Sequence, residues 1–259
     1  MGSPSVTTPS GQPVRSAKFI ACHSILTLEA RHPLAQRAVL DPQAMHRTVM
    51  SGFYGWVEPG NSDPRAQMGI LHTWTLDLRA DRLVIVVQSR VQPDWSSIPS
   101  KALVEKATVL PVDESIRQGG VFSFRTVVNP TRDRQAWRDT PQGRQLTRQR
   151  LADTTPKHVR RWFGERLQPE GAEPVGRGNI RRIGATGDPT IMAVRILPKL
   201  TFGNDRRGGK IGRAEIRGTL TVTDPEAFTY ALTNGIGRGR AYGAGLLLVR
   251  KQELPLAPS

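Results

Sequence analysis

Apolar positions in the first hundred residues fall into runs with two different periods. Lys18 to Glu29 (KFIACHSILTLE) closes on the alternation Ile25, Leu26, Thr27, Leu28, Glu29, the period of a strand with one covered face. Residues 68–78 (MGILHTWTLDL) and 82–89 (RLVIVVQS) read as two further strands joined by Arg79-Ala80-Asp81, and residues 105–112 (EKATVLPV) as a closing one. Between the first and second strands the period changes. Met45, Val49 and Phe53 recur at i, i+4 and i+8 as one helical stripe, and Asp41-Pro42 supplies an N-cap and a first helical residue. The basic segment ARHPLAQRAVL (30–40) and residues 60–64 (GNSDP) read as loops, and QPDWSSIP (92–99) as a loop or short helix. The order β-α-β-β-(α)-β predicts helices on an antiparallel sheet, a ferredoxin-like sandwich.

The second half fits the same order. VFSFRTVVNP (121–130) is a strand alternating at Phe122, Phe124 and Thr126. TRDRQAWRDTPQGRQLTRQR (131–150) has no apolar period and reads as an exposed loop or hairpin. Thr155 precedes the Arg-rich helix PKHVRRWFGERL, with Val159, Phe163 and Leu167 inward, and a long basic loop fills 173–189. TIMAVRILPKLTF (190–202) and KIGRAEIRGTLTVT (210–223) are strands around the turn DRRGG. Asp224-Pro225 repeats the helix start, and Leu246-Leu247-Leu248-Val249 is a buried closing strand. The fold class expected is α+β: two tandem ferredoxin-like (RRM-like) domains, at 17–115 and 116–259, after a polar, Pro/Ser-rich disordered leader at 1–16.

Charge separates the halves. Residues 1–98 hold 9 Lys and Arg against 7 Asp and Glu, while residues 99–259 hold 28 against 15. A net charge of +15 placed so unevenly favours a polyanion on the C-terminal half, and nucleic acid is the usual one. No basic amphipathic helix argues for a membrane surface, and no apolar run approaches the roughly 20 residues of a span. Cys22 is the single cysteine, which rules out a disulfide framework or a cysteine metal cluster. The cytoplasm is the expected compartment.

Residues 235–250 (GIGRGRAYGAGLLLVR) pack five glycines and three arginines against the closing strand. Glycine admits close backbone approach, and arginine forks onto phosphate. The segment is either a polyanion-wrapping loop or a turn whose arginines serve solubility. It is not a dinucleotide fingerprint, because Arg240 stands where the third glycine is needed and a strand, not a helix, follows. The five histidines (23, 32, 46, 72 and 158) include no pair at a metal-ligand spacing.

DPQAMHR on the first helix, FRTVVNPT opening the second half and GIGRGRAYGAGLLLVR at the end resemble, over residues 17–252, the CasE family. These are the CRISPR RNA-processing endoribonucleases of type I-E systems, in the RAMP superfamily. The resemblance implies selective binding of the CRISPR repeat RNA hairpin and one cut at its 3′ base, without metal or other cofactor. It also implies that the enzyme keeps its crRNA product among the other subunits of the type I-E surveillance complex. Such cleavage uses the substrate's own 2′-OH and leaves a 2′,3′-cyclic phosphate and a 5′-OH. It needs a base, an acid and positive charge.

His46 matches the family's catalytic histidine. Relatives commonly carry tyrosine three residues earlier, where this chain has Gln43, which cannot donate a proton as a phenol can. Arg47, Tyr54 and Lys210 are auxiliary candidates. Arg125, Arg132, Arg134, Arg138, Arg144, Arg148, Arg150, Lys157, Arg160, Arg161, Arg238 and Arg240, with Gly235, Gly237 and Gly243, are the expected RNA-binding set. His23 and His72, on strands, read as structural. Two other readings stay open: a non-catalytic structural subunit that holds the crRNA hairpin, and a general RNA-binding protein of the translation machinery.

Overall fold

The computed structural model describes residues 14–58, 60, 62–141, 143–202 and 209–252, without the side chains of 136, 138–140, 148 and 149. Most of the leader therefore lies outside the described residues, and Ser16 is already paired with Arg117.

The first sheet is built on β1 (Ser16–Glu29), which is flanked by β3 (Arg82–Ser89) and β4 (Thr108–Arg117), with β2 (Leu71–Asp77) on the far side of β3. All pairings are antiparallel, with Leu26 opposite Ile85 and Cys22 opposite Pro111. Leu26 and Leu28 point to one face, where they pack with Ile85, Met45, Val49 and Phe53.

Two helices cover that face. α2 (Pro42–Met50) starts as the Asp41-Pro42 signal predicts, with the Asp41 carboxylate accepting from the Gln43 N–H at 2.9 Å. α1 (Pro33–Leu40) replaces the loop expected at 30–40. His32 caps it by accepting from the Leu34 N–H, Pro33 stands in its first turn, and Ala35 and Ala38 are buried. Its fully buried positions are small, with Leu34 and Val39 only partly buried beside them, so the helical stripe is weak in the sequence. A short α3 (Pro64–Gln67) precedes β2. The optional second helix does not form: residues 92–103 carry only a 3-10 turn at Ser100–Ala102, and Trp95 fills the space by packing edge-on against Phe53.

The second sheet runs β11 (Leu247–Lys251), β5 (Val121–Val128), β10 (Lys210–Val222), with β8 (Ala185–Thr186) and β9 (Ala193–Thr201) also pairing with β10. The unsettled segment after β5 is a hairpin, β6 (Thr131–Thr140) and β7 (Gly143–Ala152), which forms its own two-stranded ribbon. α4 (Pro156–Gly164) and α5 (Pro225–Asn234) cover one face of this sheet. Thr155 precedes α4 without a side-chain cap, its hydroxyl donating instead to Asp153. The architecture is two tandem ferredoxin-like units.

One core joins the units. Phe19 and Ala21 of β1 and Ile116 of β4 cluster with Phe228, Ala231 and Leu232 of α5 and with Phe122, Phe124, Ile216 and Leu220 of the second sheet. Each large side chain buried there contributes about 1.5–3 kcal/mol. The Gln88 amide of β3 also donates to the Leu232 carbonyl of α5 at 2.8 Å. The relation between the units is thereby fixed by packing, and a site between them inherits that rigidity.

Candidate active site and nucleic-acid interface

His46 stands at the edge of the α2 stripe, half-buried, and α2 packs against the 3-10 turn Arg240–Tyr242 of the glycine-rich segment. The His46 and Tyr242 ring centroids lie 6.2 Å apart with the planes tilted by 56°. The Gln43 Nε2 donates to Tyr242 Oη at 3.3 Å, and Phe202 meets the Tyr242 ring edge-on at 4.6 Å. His46 and the turn at 240–242, more than 190 positions apart in the chain, therefore face one another across the junction of the units.

Backbone geometry holds the loop in this place. Gly239 and Gly243 are both left-handed (φ 84° and 80°) and bracket residues 240–242. A Cβ on Gly243 would also come within 3.2 Å of the Trp74 ring and 3.4 Å of His72 Nε2. Gly235 ends α5, and Gly237 lies against the Trp162 ring.

Burial, the largest influence, lowers the His46 pKa; a backbone hydrogen bond to Ala241 opposes it, and Arg65 and Arg47 reinforce it. The imidazole is thus biased toward its neutral form at neutral pH. Arg65 is held by the Ile70 carbonyl at 2.9 Å. His72 lies fully buried beneath the loop, where burial drives its pKa down to about 3. It is a neutral packing residue. Beside it, Arg213 is buried over the indole of Trp74, and burial lowers its pKa to about 10.

The auxiliary candidates divide. Gln43 is in the site. Arg47 is not directed at the reacting region: it is an exposed helix charge paired with Asp41 at 3.3 Å. Tyr54 is exposed in the 3-10 turn Ser51–Trp56 that follows α2, eight residues beyond His46, roughly 12–14 Å of helical rise and outside hydrogen-bond reach. Lys210 is exposed at the start of β10, next to Gly209, whose carbonyl accepts from the Phe202 N–H.

The arginines divide as well. Arg132, Arg134, Arg144 and Arg150 stand on the hairpin, two of them tethered, Arg132 to Asp153 at 3.2 Å and Arg150 to Asp133 at 2.6 Å. Arg144 covers the exposed Trp137 ring. Arg138 and Arg148 belong to the same strands, with side chains outside the described residues. Lys157 and Arg161 are exposed on α4, and Arg238 on the loop.

Three of the expected RNA-contact arginines also bind within the protein. Arg125 gives Nε to buried Glu215 at 2.7 Å and Nη2 to Thr75 at 2.8 Å, a bridge between the sheets. Glu215 also binds Arg195 and Arg217, and these hydrogen bonds outweigh its burial and hold its pKa low. Arg160 donates to the Met192 carbonyl, and Arg240 to the Gly237 and Asn234 carbonyls. Each of these side chains thus braces the protein from within.

Between the hairpin base, α4, the 177–183 loop and the glycine loop lies an open groove of about 510 Å³. Arg150, Arg166, Arg177, Arg182 and Arg238 line it against Asp133 and Glu165. Arg166 lies over the Trp162 ring, and burial lowers its pKa to about 10, so it stays charged at neutral pH. The sequence reading missed Tyr242, Arg65, Arg166 and Arg213. Tyr242 stood inside the quoted glycine segment, but nothing local marked its partner.

A neutral histidine facing a glycine-bracketed loop beside a cationic groove, on paired ferredoxin-like units, defines a protein built to hold a folded polyanion against a proton-transfer group. The chain belongs to the family described as CRISPR associated protein, whose model matches residues 23–251. It is 25% identical over 231 residues to the CRISPR-associated endoribonuclease Cse3 of Thermus thermophilus, covering 86% of this chain and 97% of that one. In fold it resembles Thermus thermophilus Cse3 bound to an RNA representing a pre-cleavage complex, with a TM-score of 0.64, 23% identity, and coverage of 90% of this chain and 100% of that one. It is also similar to Cas6e from Escherichia coli K-12, with a TM-score of 0.63, 16% identity, and coverage of 88% and 98%.

Proposed function

We propose that this chain is a metal-independent endoribonuclease that cuts CRISPR repeat RNA at the base of its hairpin and remains on the crRNA as a subunit of a type I-E surveillance complex. The observation that carries the reading is the apposition of His46 and the Tyr242 loop, 6.2 Å between rings, at the edge of a cationic surface. His46 is the group that takes the 2′-OH proton, and its lowered pKa suits a base. Lys157, Arg161, Arg238 and the hairpin arginines hold the phosphates of the stem, whose A-form major groove is deep, narrow and negative. Residues 17–115 then form the catalytic domain and 116–259 the RNA-holding domain, with the cytoplasm as the compartment.

The test is incubation with a repeat-hairpin RNA in EDTA, followed by end analysis. A single product pair with a 2′,3′-cyclic phosphate and a 5′-OH is expected; hydrolytic 3′-OH ends, or a strict need for added metal, would contradict the reading. Gln43 in the site favours a second reading, a subunit that binds the crRNA hairpin without cutting it. Tight binding with the RNA left intact would select that one.

A further inference from the structure

We propose that Tyr242 is the second proton carrier of this site, delivering its phenol proton to the 5′ oxygen that leaves as the RNA chain breaks. The inference rests on the reading of His46 as the base for the 2′-OH.

Internal attack moves two protons at two oxygens on opposite sides of phosphorus, because the entering and leaving oxygens are in line. One imidazole cannot stand at both. The His46 and Tyr242 rings, with centroids 6.2 Å apart and tilted by 56°, can address the two sides of one phosphate between them. The phenol is also held. Its own turn, closed by the Tyr242 N–H to the Gly239 carbonyl at 2.9 Å, and the Phe202 edge fix the ring. The Gln43 amide donates to the phenol oxygen, which leaves the phenol hydrogen directed elsewhere. An amide that cannot supply a proton thus orients a hydroxyl that can.

The neighbouring groups fit the role less well. His72 is fully buried under Gly243 and uncharged. Arg65 is fixed on the Ile70 carbonyl, and a guanidinium does not give up its proton. Tyr54 is out of reach. Lys210 is exposed at the end of the same β9–β10 ribbon, suited to balancing charge on the phosphorane. Burial and the nearby Arg65 and Arg47 favour neutral His46, which suits the base and leaves the acid's place to another group.

The step balances. The 2′-O–H bond breaks and its proton goes to a His46 ring nitrogen; the 2′-O–P bond forms. The P–O5′ bond breaks, its electron pair stays on O5′, and the phenol proton joins it. Exchange with water then resets the imidazolium and the phenolate.

A bridging sulfur in place of the 5′ oxygen tests this directly, because a thiolate leaves without being protonated. Wild type, Tyr242→Phe, Lys210→Met and His46→Ala are compared in single-turnover cleavage of the oxygen and sulfur versions of one repeat-hairpin RNA in EDTA, with RNA affinity measured for each. Phenylalanine keeps the ring packing on Phe202. Tyr242→Phe is expected to bind normally, to cut the oxygen RNA roughly 10²-fold slower, and to cut the sulfur RNA within about threefold of wild type. His46→Ala is expected to be slow on both. Unimpaired Tyr242→Phe cleavage of the oxygen RNA overturns the proposal, as does equal slowing on both RNAs, or sulfur rescue of Lys210→Met instead. Each of these leaves the nuclease reading standing. Wild-type protein that leaves the oxygen RNA intact overturns both.

Discussion

Arg213 of β10 lays its guanidinium over the indole of Trp74 on β2, 4.3 Å from the ring centroid, and so ties the second sheet to the edge of the first beneath the glycine-rich loop. The arginine is buried and its Nε donates to the Pro198 carbonyl at 3.2 Å. Trp74 is thus at once a lid on a buried cation and a wall for Gly243. Trp74→Ala removes both functions. It should lower stability by about 2–4 kcal/mol, from lost packing and an uncovered charge, as read from the denaturant midpoint.

Gly243 combines a left-handed backbone with a close approach to Trp74 and His72. Gly243→Ala should cost about 1–2 kcal/mol of stability, since an L side chain is strained at that φ and the added methyl meets the indole. Cleavage should fall by more than RNA affinity does, because the loop carries Tyr242 while most of the cations proposed to hold phosphate sit elsewhere. Paired stability, binding and single-turnover measurements on one variant check this.

His72 makes stability depend on pH. Its folded pKa, about 3, lies below the ordinary value of 6.5, so between those values the unfolded chain binds the proton that the folded one refuses. The stabilisation is complete above pH 6.5 and drains as pH falls toward 3. His46, His23 and His158 are lowered too and add in the same direction. His72→Gln, whose side chain does not titrate, should flatten the loss between pH 7 and pH 4.5, measured as the change in urea midpoint.

The salt dependence of binding separates phosphate contacts from internal ones. Arg134→Ala, on the hairpin, should weaken repeat-RNA binding and reduce the slope of log affinity against log salt by about 0.7–0.9, one phosphate's worth. Arg160→Ala should change that slope less than Arg134→Ala does, because the Arg160 Nε is held by the Met192 carbonyl.

Much of the fold was legible where the signal is local. Asp-Pro pairs at 41–42 and 224–225 each start a helix, and the alternations in β1 and β5 became the two faces of their sheets. α1 gives little signal in the sequence because its buried positions, Ala35 and Ala38, are small; Pro33 is a first-turn residue of the helix. The place of a second crossover helix in the first unit is taken by an irregular segment with the 3-10 turn Ser100–Ala102 and Trp95 packed on Phe53, which the loop-or-helix composition of QPDWSSIP left undecided.

Within the site, His46 could be singled out from its motif, but its surroundings could not. Gln43 and Tyr242 are separated by 199 positions and meet only through the packing of two units. The arginines show the same limit in reverse. Composition marks Arg125, Arg160 and Arg240 as surface cations, while the partners that hold them inward, Glu215, the Met192 carbonyl and the Gly237 and Asn234 carbonyls, come from elsewhere in the fold or from the loop's own backbone curvature.

The most direct measurement is the single-turnover rate of His46→Ala on a repeat-hairpin RNA in EDTA, with affinity measured alongside. The account predicts unchanged binding and a rate lower by about 10²–10⁴-fold. Cleavage by His46→Ala at the wild-type rate, with the same ends, would contradict it.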